Sequence, residues 1–226
     1  MSGAAALVEL TIPVGAGAVS ALFCRPAQPT SLLVFGHGAG AGMRHSFMSA
    51  MAERLAARGV ATLRYQFPYI ERGSPRPDAQ PVLVSTVRAA VGTARGQLSN
   101  VPLFAGGKSM GGRMTSLAES AEPLDLKGLV FFGFPLHAAG ARDVRRAQHL
   151  ADVRIPSLFL QGTRDELAPL DLLEPIVSAL GERATLHVIE GADHSFRVLR
   201  RTGRSDDQVL DELADVVAAW TGRVSG

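Results

Sequence analysis

Short apolar runs that alternate with amphipathic helical segments constrain the fold of this chain more than any other feature. Apolar strands are predicted at Leu32–Phe35, Val60–Phe67, Pro102–Ala105, Leu129–Phe134, Ser157–Gln161 and Ala184–Ile189. Helices are predicted at His45–Arg58, Pro81–Leu98, Gly111–Ser120, Leu170–Leu180 and Asp206–Trp220. Strands that alternate with helices in this way form a mostly parallel sheet with helices on both faces. The sequence therefore predicts an α/β fold.

Two features outside this alternation indicate how the fold begins and whether it carries a lid. The β-prone runs Val8–Val14 and Ala18–Cys24 flank a short glycine-rich turn, which predicts an antiparallel hairpin. Between Pro135 and Pro156 the chain has room for only about one helix, so we expect no substantial cap domain. Because α/β folds commonly reach this length around one sheet, we predict a single domain over residues 1–226.

The charge balance and the cysteine count exclude several classes of protein. Lys plus Arg number 23 against 21 for Asp plus Glu, so a net charge of +2 provides no strong positive field for nucleic acid. Cys24 is the single cysteine, which excludes an intrachain disulfide and fits a reducing cytoplasm. The first residues lack an export-signal pattern, and no segment approaches the ~18 to 20 apolar residues of a membrane span. We expect a cytoplasmic protein without nucleic-acid or membrane partners. The sequence does not determine its oligomeric state.

A G-x-S-x-G motif at Gly107–Gly111 marks a candidate nucleophile, Ser109. The motif directly follows an apolar strand and directly precedes a helical run, which is the context of a nucleophile elbow. An elbow holds the serine in a strained backbone conformation, and the small Gly107 and Gly111 let strand and helix approach each other. The alternative is a tight turn or a phosphate-binding loop, but the spacing of the common phosphate-binding motifs is missing. Lys108 is interpreted as incidental to the motif.

A serine nucleophile needs a base, and the base needs a carboxylate that fixes its orientation. Asp165 and Glu166 come shortly after the predicted strand Ser157–Gln161. His194 comes shortly after the predicted strand Ala184–Ile189. Both positions lie at the carboxyl edge of a parallel sheet, where the ligand sites of open α/β folds assemble. We predict that His194 is the base and that Asp165 orients it, with Glu166 as the second choice.

Acyl chemistry at Ser109 also requires two backbone N–H groups that stabilise the negative charge of a tetrahedral intermediate. We predict that Met110, which follows the nucleophile, and Ala39, in the glycine-rich loop after Leu32–Phe35, supply this oxyanion hole. Gly40 is the alternative to Ala39. His37, at the start of the same loop, is interpreted as a structural residue that forms hydrogen bonds beneath it.

Further residues are candidates for the surroundings of the site. His137 and the loop segment Tyr69–Gln80 are candidates for its border, and the loop segment is also a candidate for a gate. Two Arg-rich stretches are compatible with an anionic substrate, although such clusters more commonly form solvated helix faces. They contain Arg142, Arg145 and Arg146, and Arg197, Arg200, Arg201 and Arg204. From the sequence we assign no cofactor and no metal ligand.

The combined motifs resemble the α/β-hydrolase superfamily from about Leu32 through the last helix. They are His37-Gly38, Gly107-x-Ser109-x-Gly111, Gly162-x-x-Asp165 and Gly191-x-x-His194. The capless length resembles the dienelactone-hydrolase-like branch, whose members with true dienelactone activity use a cysteine where this chain has Ser109. The stretch Arg64–Tyr69 is similar to small hydrolase-like proteins that mostly lack an assigned substrate, some of which act within chromatin-associated complexes. The resemblance implies an α/β-hydrolase fold.

The sequence supports one leading hypothesis on function and two alternatives. The leading hypothesis is a carboxylesterase-like serine hydrolase that cleaves a carboxylic ester or related acyl bond of a small molecule through an acyl-enzyme intermediate. An acyltransferase would use the same three residues with an alcohol or amine as acceptor. A non-catalytic interaction module would keep the fold and use the carboxyl edge of the sheet for binding.

Overall fold

The computed structural model describes residues 5–226 and contains an eight-stranded, mostly parallel sheet. The strands are β1 (Ala6–Val14), β2 (Gly17–Arg25), β3 (Ser31–Gly36), β4 (Val60–Tyr65), β5 (Leu103–Lys108), β6 (Gly128–Phe132), β7 (Ser157–Gly162) and β8 (Ala184–Ile189). Their order across the sheet is β1-β2-β4-β3-β5-β6-β7-β8. β1 pairs antiparallel with β2, β2 pairs antiparallel with β4, and the remaining neighbours are parallel. The predicted sheet and its antiparallel start are confirmed.

Helices cover both faces of the sheet, as the alternation predicts. The α-helices are α1 (Ser46–Ala57), α2 (Pro68–Glu71), α3 (Gln80–Gln97), α4 (Met110–Ala121), α5 (Leu170–Leu180) and α6 (Asp206–Ser225). Helices α1 and α6 pack together on one face, and α3, α4 and α5 lie on the other. Successive side chains of β3 alternate between the two cores, with Leu33 and Phe35 facing α1 and α6. Because both faces are buried, this strand is apolar from Leu32 to Phe35.

The segment between β6 and β7 contains a 3₁₀ helix at Arg145–Asp152, and within residues 5–226 the fold carries no cap domain. The predicted loop Pro68–Gln80 begins with the short helix α2, because Pro68 has the backbone angle of a first helical residue and needs no N–H partner there. The last helix continues past Trp220, its predicted end. It begins with a capping box between Ser205 and Gln208, whose bonds are 3.2 and 2.9 Å long.

Residues 1–4 lie outside the described residues. The predicted domain begins in this part of the chain, and so does the segment in which an export signal is predicted to be absent. None of the helices formed by residues 5–226 combines the length and the apolar character that a bilayer crossing requires. The carboxyl ends of β3, β5, β7 and β8 lie at the same edge of the sheet. The residues that follow these four strands are the ones that the sequence singles out for chemistry.

Candidate active site

Ser109 occupies a sharp turn between β5 and α4. Its backbone angles are φ 50° and ψ −113°, a left-handed conformation that is uncommon for a residue with a side chain. The glycines on either side make the turn possible, because the strand and the helix pass very close to β3. A Cβ atom added at Gly107 or at Gly111 would lie 2.3 Å from the carbonyl oxygen of Gly36. The turn therefore has the strain and the close approach that the motif predicts.

Three side chains that are distant along the sequence form a continuous chain of hydrogen bonds. The Nε2 atom of His194 lies 2.9 Å from the Oγ atom of Ser109. The Nδ1 atom of the same ring lies 2.7 Å from the Oδ2 atom of Asp165. A neutral imidazole can donate from Nδ1 to the carboxylate while Nε2 accepts the serine proton. The structure thus brings the predicted nucleophile, base and acid together in the order that proton transfer requires.

The carboxylate of Asp165 is buried, with 2% of the residue exposed, and both of its oxygens accept hydrogen bonds. Oδ2 also accepts from Nε2 of Gln161 at 2.6 Å, and Oδ1 accepts from the backbone N–H of Leu167 at 2.8 Å. Burial alone would raise the pKa of Asp165, but the hydrogen bond and charge of His194, the Leu167 amide and the Lys108 ammonium together lower it. Glu166, the second candidate, is exposed.

The glycine-rich loop after β3 is held by residues that follow β4 in the chain. The N–H of Gly40 donates to the Tyr69 hydroxyl at 3.1 Å, and the N–H of Phe67 donates to Nε2 of His37 at 3.1 Å. Burial lowers the pKa of His37 to about 4, so its ring is neutral at pH 7 and free to accept this bond. Gln66 accepts from the N–H of Met43 at 2.8 Å. His37 thus forms the hydrogen bonds beneath the loop that the sequence predicts.

These contacts separate the two candidates for the second oxyanion donor. The Gly40 amide is already engaged with Tyr69. Among the hydrogen bonds of residues 5–226, neither the Ala39 amide nor the Met110 amide has an acceptor. The two amides that the sequence predicts for the oxyanion hole are therefore both unengaged, and Gly40 is the weaker alternative.

A cleft of about 580 Å³ opens beside Ser109 and His194. Its apolar lining includes Phe47, Met48, Leu167, Phe196 and Leu210. Its polar lining includes His45, Ser46, Lys108, Ser195, Arg197 and Asp206. The mixture leaves space for a small molecule with both apolar and polar parts.

Several candidates for the border of the site lie elsewhere. His137 is buried, is absent from the cleft lining, and contacts the carbonyl of Ala138 at 2.9 Å. Most of the Arg-rich stretches make structural contacts: Arg142 pairs with Asp171, Arg145 with Asp143, and Arg204 with Glu212. Arg146 donates to the carbonyl of His137 at 2.9 Å. From these stretches, Arg197 is the residue that lines the cleft. Tyr69, at the start of the predicted border loop, accepts a hydrogen bond from the Gly40 amide through its hydroxyl.

Lys108 is a site residue that the sequence interpretation missed. Its ammonium donates to the backbone carbonyl of His194, and its side chain lines the cleft. It also lies 5.4 Å from the ring centre of Phe196 and 6.0 Å from that of Phe47. A signal was present in the sequence, since Lys108 and Lys127 are the only lysines and Lys108 ends an apolar strand.

Comparison with solved structures supports the capless architecture. A serine hydrolase without a lid from Xanthomonas campestris aligns with a TM-score of 0.74 over 97% of this chain and 96% of its own, at 21% identity. A dienelactone hydrolase from Anabaena variabilis aligns with a TM-score of 0.79 over 97% of this chain and 98% of its own, at 20% identity. At these identities the likeness concerns the fold, and it confirms the predicted capless, dienelactone-hydrolase-like architecture.

Sequence comparison identifies relatives that are longer than this chain. A Mycobacterium tuberculosis protein named as a phosphoribosyl transferase is 25% identical over 217 residues, which are 94% of this chain and 45% of that protein. The chain therefore spans about half the length of the curated relatives that it matches. A family model described as an alpha/beta hydrolase domain matches residues 29–222. This match extends over most of the chain, from the residues before β3 into α6, and the protein belongs to the α/β-hydrolase domain family.

Proposed function

We propose that the protein is a serine hydrolase that cleaves a carboxylic ester or a related acyl bond. The observation that carries the proposal is the hydrogen-bond chain from Ser109 Oγ through His194 to Asp165, with distances of 2.9 and 2.7 Å. A serine hydroxyl becomes a nucleophile when a neighbouring base removes its proton, and an imidazole held by a buried carboxylate is such a base. The small-molecule substrate would bind in the cleft beside Ser109.

In the proposed reaction, Oγ of Ser109 attacks the carbonyl carbon while Nε2 of His194 takes the serine proton. Asp165 keeps the ring oriented and stabilises the imidazolium that forms. The N–H groups of Met110 and Ala39 would stabilise the oxyanion. His194 then gives its proton to the leaving alcohol, and an acyl group remains bound to Ser109. A water molecule, deprotonated by His194, then attacks this acyl group. The bond between the acyl carbon and Oγ of Ser109 breaks, His194 returns the proton to Oγ, and the carboxylic acid leaves.

Two alternatives share this geometry in part. Acyl transfer would use the same steps, with an alcohol or amine in place of the water, and product analysis with an added acceptor distinguishes it from hydrolysis. A binding module would keep the fold without a reactive serine. We infer that the transferase activity named for the longer relatives belongs to the part of them that this chain does not match, because the chain that matches the other part holds Ser109, His194 and Asp165 in hydrogen-bond contact.

The proposal is tested by labelling the protein with a fluorophosphonate, which reacts with activated serines. The wild-type protein is expected to be labelled at Ser109, as identified by peptide mass spectrometry. Labelling is expected to disappear in Ser109→Ala and in His194→Ala, because either change removes a partner from the 2.9 Å contact. Ser195→Ala is the matched control, since Ser195 lines the same cleft and is exposed. A folded wild-type protein that does not react would favour the binding module over the hydrolase.

A second prediction concerns the proposed oxyanion hole. Tyr69→Phe removes the hydroxyl that accepts from the Gly40 amide and so loosens the loop that contains Ala39. We expect kcat for an ester substrate to fall about tenfold, the effect of losing roughly 1.4 kcal/mol of stabilisation in the transition state. The measurement is a comparison of kcat and KM for p-nitrophenyl esters of increasing acyl length.

The chain offers a matched control for this change. Tyr65 is the only other tyrosine, and among the described residues its buried hydroxyl makes no hydrogen bond to the glycine-rich loop. Tyr65→Phe is therefore expected to leave kcat nearly unchanged. Equal activity of Tyr69→Phe and the wild-type protein would show that the Gly40 contact does not contribute to the reaction.

A further inference from the structure

The ammonium of Lys108 makes a contact that the proposed reaction does not use. Its Nζ atom donates a hydrogen bond to the backbone carbonyl of His194. Among the hydrogen bonds formed by residues 5–226, this carbonyl accepts no other. The residue next to the proposed nucleophile therefore contacts the backbone of the proposed base. The segments that carry Ser109 and His194 are therefore connected twice, by the 2.9 Å side-chain contact between these residues and by the hydrogen bond from Lys108.

Residues 193–197, which carry His194, form a tight turn whose other backbone hydrogen bonds are internal. The N–H of Asp193 donates to the carbonyl of Arg197 at 3.0 Å, and the N–H of Phe196 donates to the carbonyl of Asp193 at 2.9 Å. The Asp193 carboxylate accepts from the N–H groups of Ser195 and Arg197 at 2.8 and 2.9 Å. These bonds fix the shape of the turn. They do not fix the distance between its tip and Ser109.

The surroundings of Lys108 keep its ammonium at this tip. The aliphatic part of the side chain lies below the glycine-rich loop, where a Cβ atom added at Gly38 would lie 3.7 Å from Cγ of Lys108. The rings of Phe47 and Phe196 stack at 5.8 Å, and Nζ lies over both of them, where the faces of aromatic rings attract a cation. The ammonium thus has a defined position between α1 and the His194 loop.

The ammonium is also charged under ordinary conditions. Burial lowers the pKa of Lys108 to about 8, and the carboxylates of Asp165 and Asp193 act in the opposite direction. At pH 7 the side chain therefore remains mostly protonated, and a charged donor forms a stronger hydrogen bond to a carbonyl than a neutral one. Gly133 leaves the necessary room, because a Cβ atom added there would lie 3.0 Å from Nζ.

We propose that Lys108 is a positioning residue whose ammonium holds the His194 carbonyl and thereby keeps the imidazole within hydrogen-bonding distance of Ser109. The inference rests on the proposed function for its effect on catalysis, but the contact itself exists without it. A side chain of similar length that lacks the ammonium would fill the space and release the carbonyl. The His194 loop would then move more freely relative to Ser109, and proton transfer would slow while the cleft still binds substrate.

The test compares Lys108→Met, Lys108→Arg and Lys127→Met, where Lys127 is the only other lysine and is exposed. We expect Lys108→Met to lower kcat about 10²-fold, the effect of a small misplacement of a reacting group, with KM nearly unchanged. Hydrogen–deuterium exchange in residues 190–198 should be faster in this variant. Lys108→Arg keeps a charged donor and should restore part of kcat, and Lys127→Met should match the wild-type protein in both measurements.

A second measurement uses the wild-type protein and does not depend on the folding of a variant. Selective isotopic labelling of lysine gives two side-chain signals in nuclear magnetic resonance, one for Lys108 and one for Lys127. The Lys108 ammonium protons are expected to exchange with water much more slowly than those of Lys127. Equally fast exchange of the ammonium protons of Lys108 and Lys127 would overturn the proposal. A Lys108→Met variant with wild-type kcat and wild-type amide exchange in residues 190–198 would overturn it as well.

These results remain separable from the proposed hydrolase function. If the wild-type protein is not labelled at Ser109 by a fluorophosphonate, the hydrolase proposal fails. The amide exchange of residues 190–198 and the ammonium signal of Lys108 then still decide whether Lys108 holds the loop. If labelling succeeds and Lys108→Met leaves both the loop and kcat unchanged, the hydrolase proposal stands and the positioning role is wrong.

Discussion

Alanine at Ser109, at His194 or at both positions is expected to lower kcat for an ester substrate by the same factor, about 10⁶-fold. The three losses of kcat are expected to be equal because one proton transfer, across the 2.9 Å contact, requires both side chains. Without the imidazole the hydroxyl keeps its proton, and without the hydroxyl the imidazole has no nucleophile to activate. The second substitution therefore has nothing further to remove.

The measurement is steady-state hydrolysis of the best p-nitrophenyl ester by all three variants, each purified separately from the wild-type protein. Thermal unfolding of each variant serves as the folding control. Alanine and serine both carry a Cβ atom, so Ser109→Ala adds no backbone strain at this position. Residual hydrolysis above the rate in water is expected, because the amides of Met110 and Ala39 remain. Retention of a tenth of wild-type kcat by Ser109→Ala, or multiplicative losses in the double variant, would exclude the proposed mechanism.

Alanine at Gly106 is expected to destabilise the fold strongly although no catalytic role is proposed for this residue. Gly106 lies in β5 opposite Val130 of β6. A Cβ atom added at Gly106 would lie 1.8 Å from the carbonyl oxygen of Val130 and 2.7 Å from its carbonyl carbon. Backbone atoms of a neighbouring strand cannot move aside without separating the two strands. We expect a loss of at least about 4 kcal/mol in the free energy of unfolding, a large part of the stability of an ordinary domain.

Gly92 provides the matched control for this substitution. It lies within α3, is exposed, and a Cβ atom there would meet no atom within 4 Å. Gly92→Ala is expected to stabilise the protein by roughly 0.5 to 1 kcal/mol, because alanine loses less backbone entropy than glycine in a helix. Denaturation in urea measures both changes, which should have opposite signs. A Gly106→Ala protein as stable as the wild type would mean that β5 and β6 lie farther apart than described.

The positions of Ser109, Asp165 and His194 could be predicted because each follows a recognisable apolar strand. In a parallel sheet the ends of such strands share one edge, so chain order alone brings these residues near one another. The same logic predicted that Asp165 is the carboxylate beside His194, although the sequence could not show that Glu166 is exposed. The same logic places Ala39 and Met110 near the nucleophile.

Other features depend on the directions of side chains and backbone amides, which sequence patterns do not contain. The sequence predicted Ala39 over Gly40, but it could not show that the Gly40 amide is engaged by Tyr69, which lies beyond β4 in the chain. Lys108 was misinterpreted because a lysine after an apolar strand usually points to solvent, and its contact with His194 joins positions 86 residues apart. His137 has a strand-end position like those of Asp165 and His194, yet its side chain is absent from the cleft lining.

Residues 5–226 form no lid over the cleft, and this has a consequence for how the cleft can change its selectivity over evolution. The cleft walls are formed by residues of α1 and α6, including Met48 and Leu210, which also pack in the core on that face of the sheet. An enzyme with a separate lid can alter specificity there at little risk to its core. Here a mutation that reshapes the wall also disturbs the packing of two helices. Adaptation to a new substrate would therefore involve a trade-off with thermal stability.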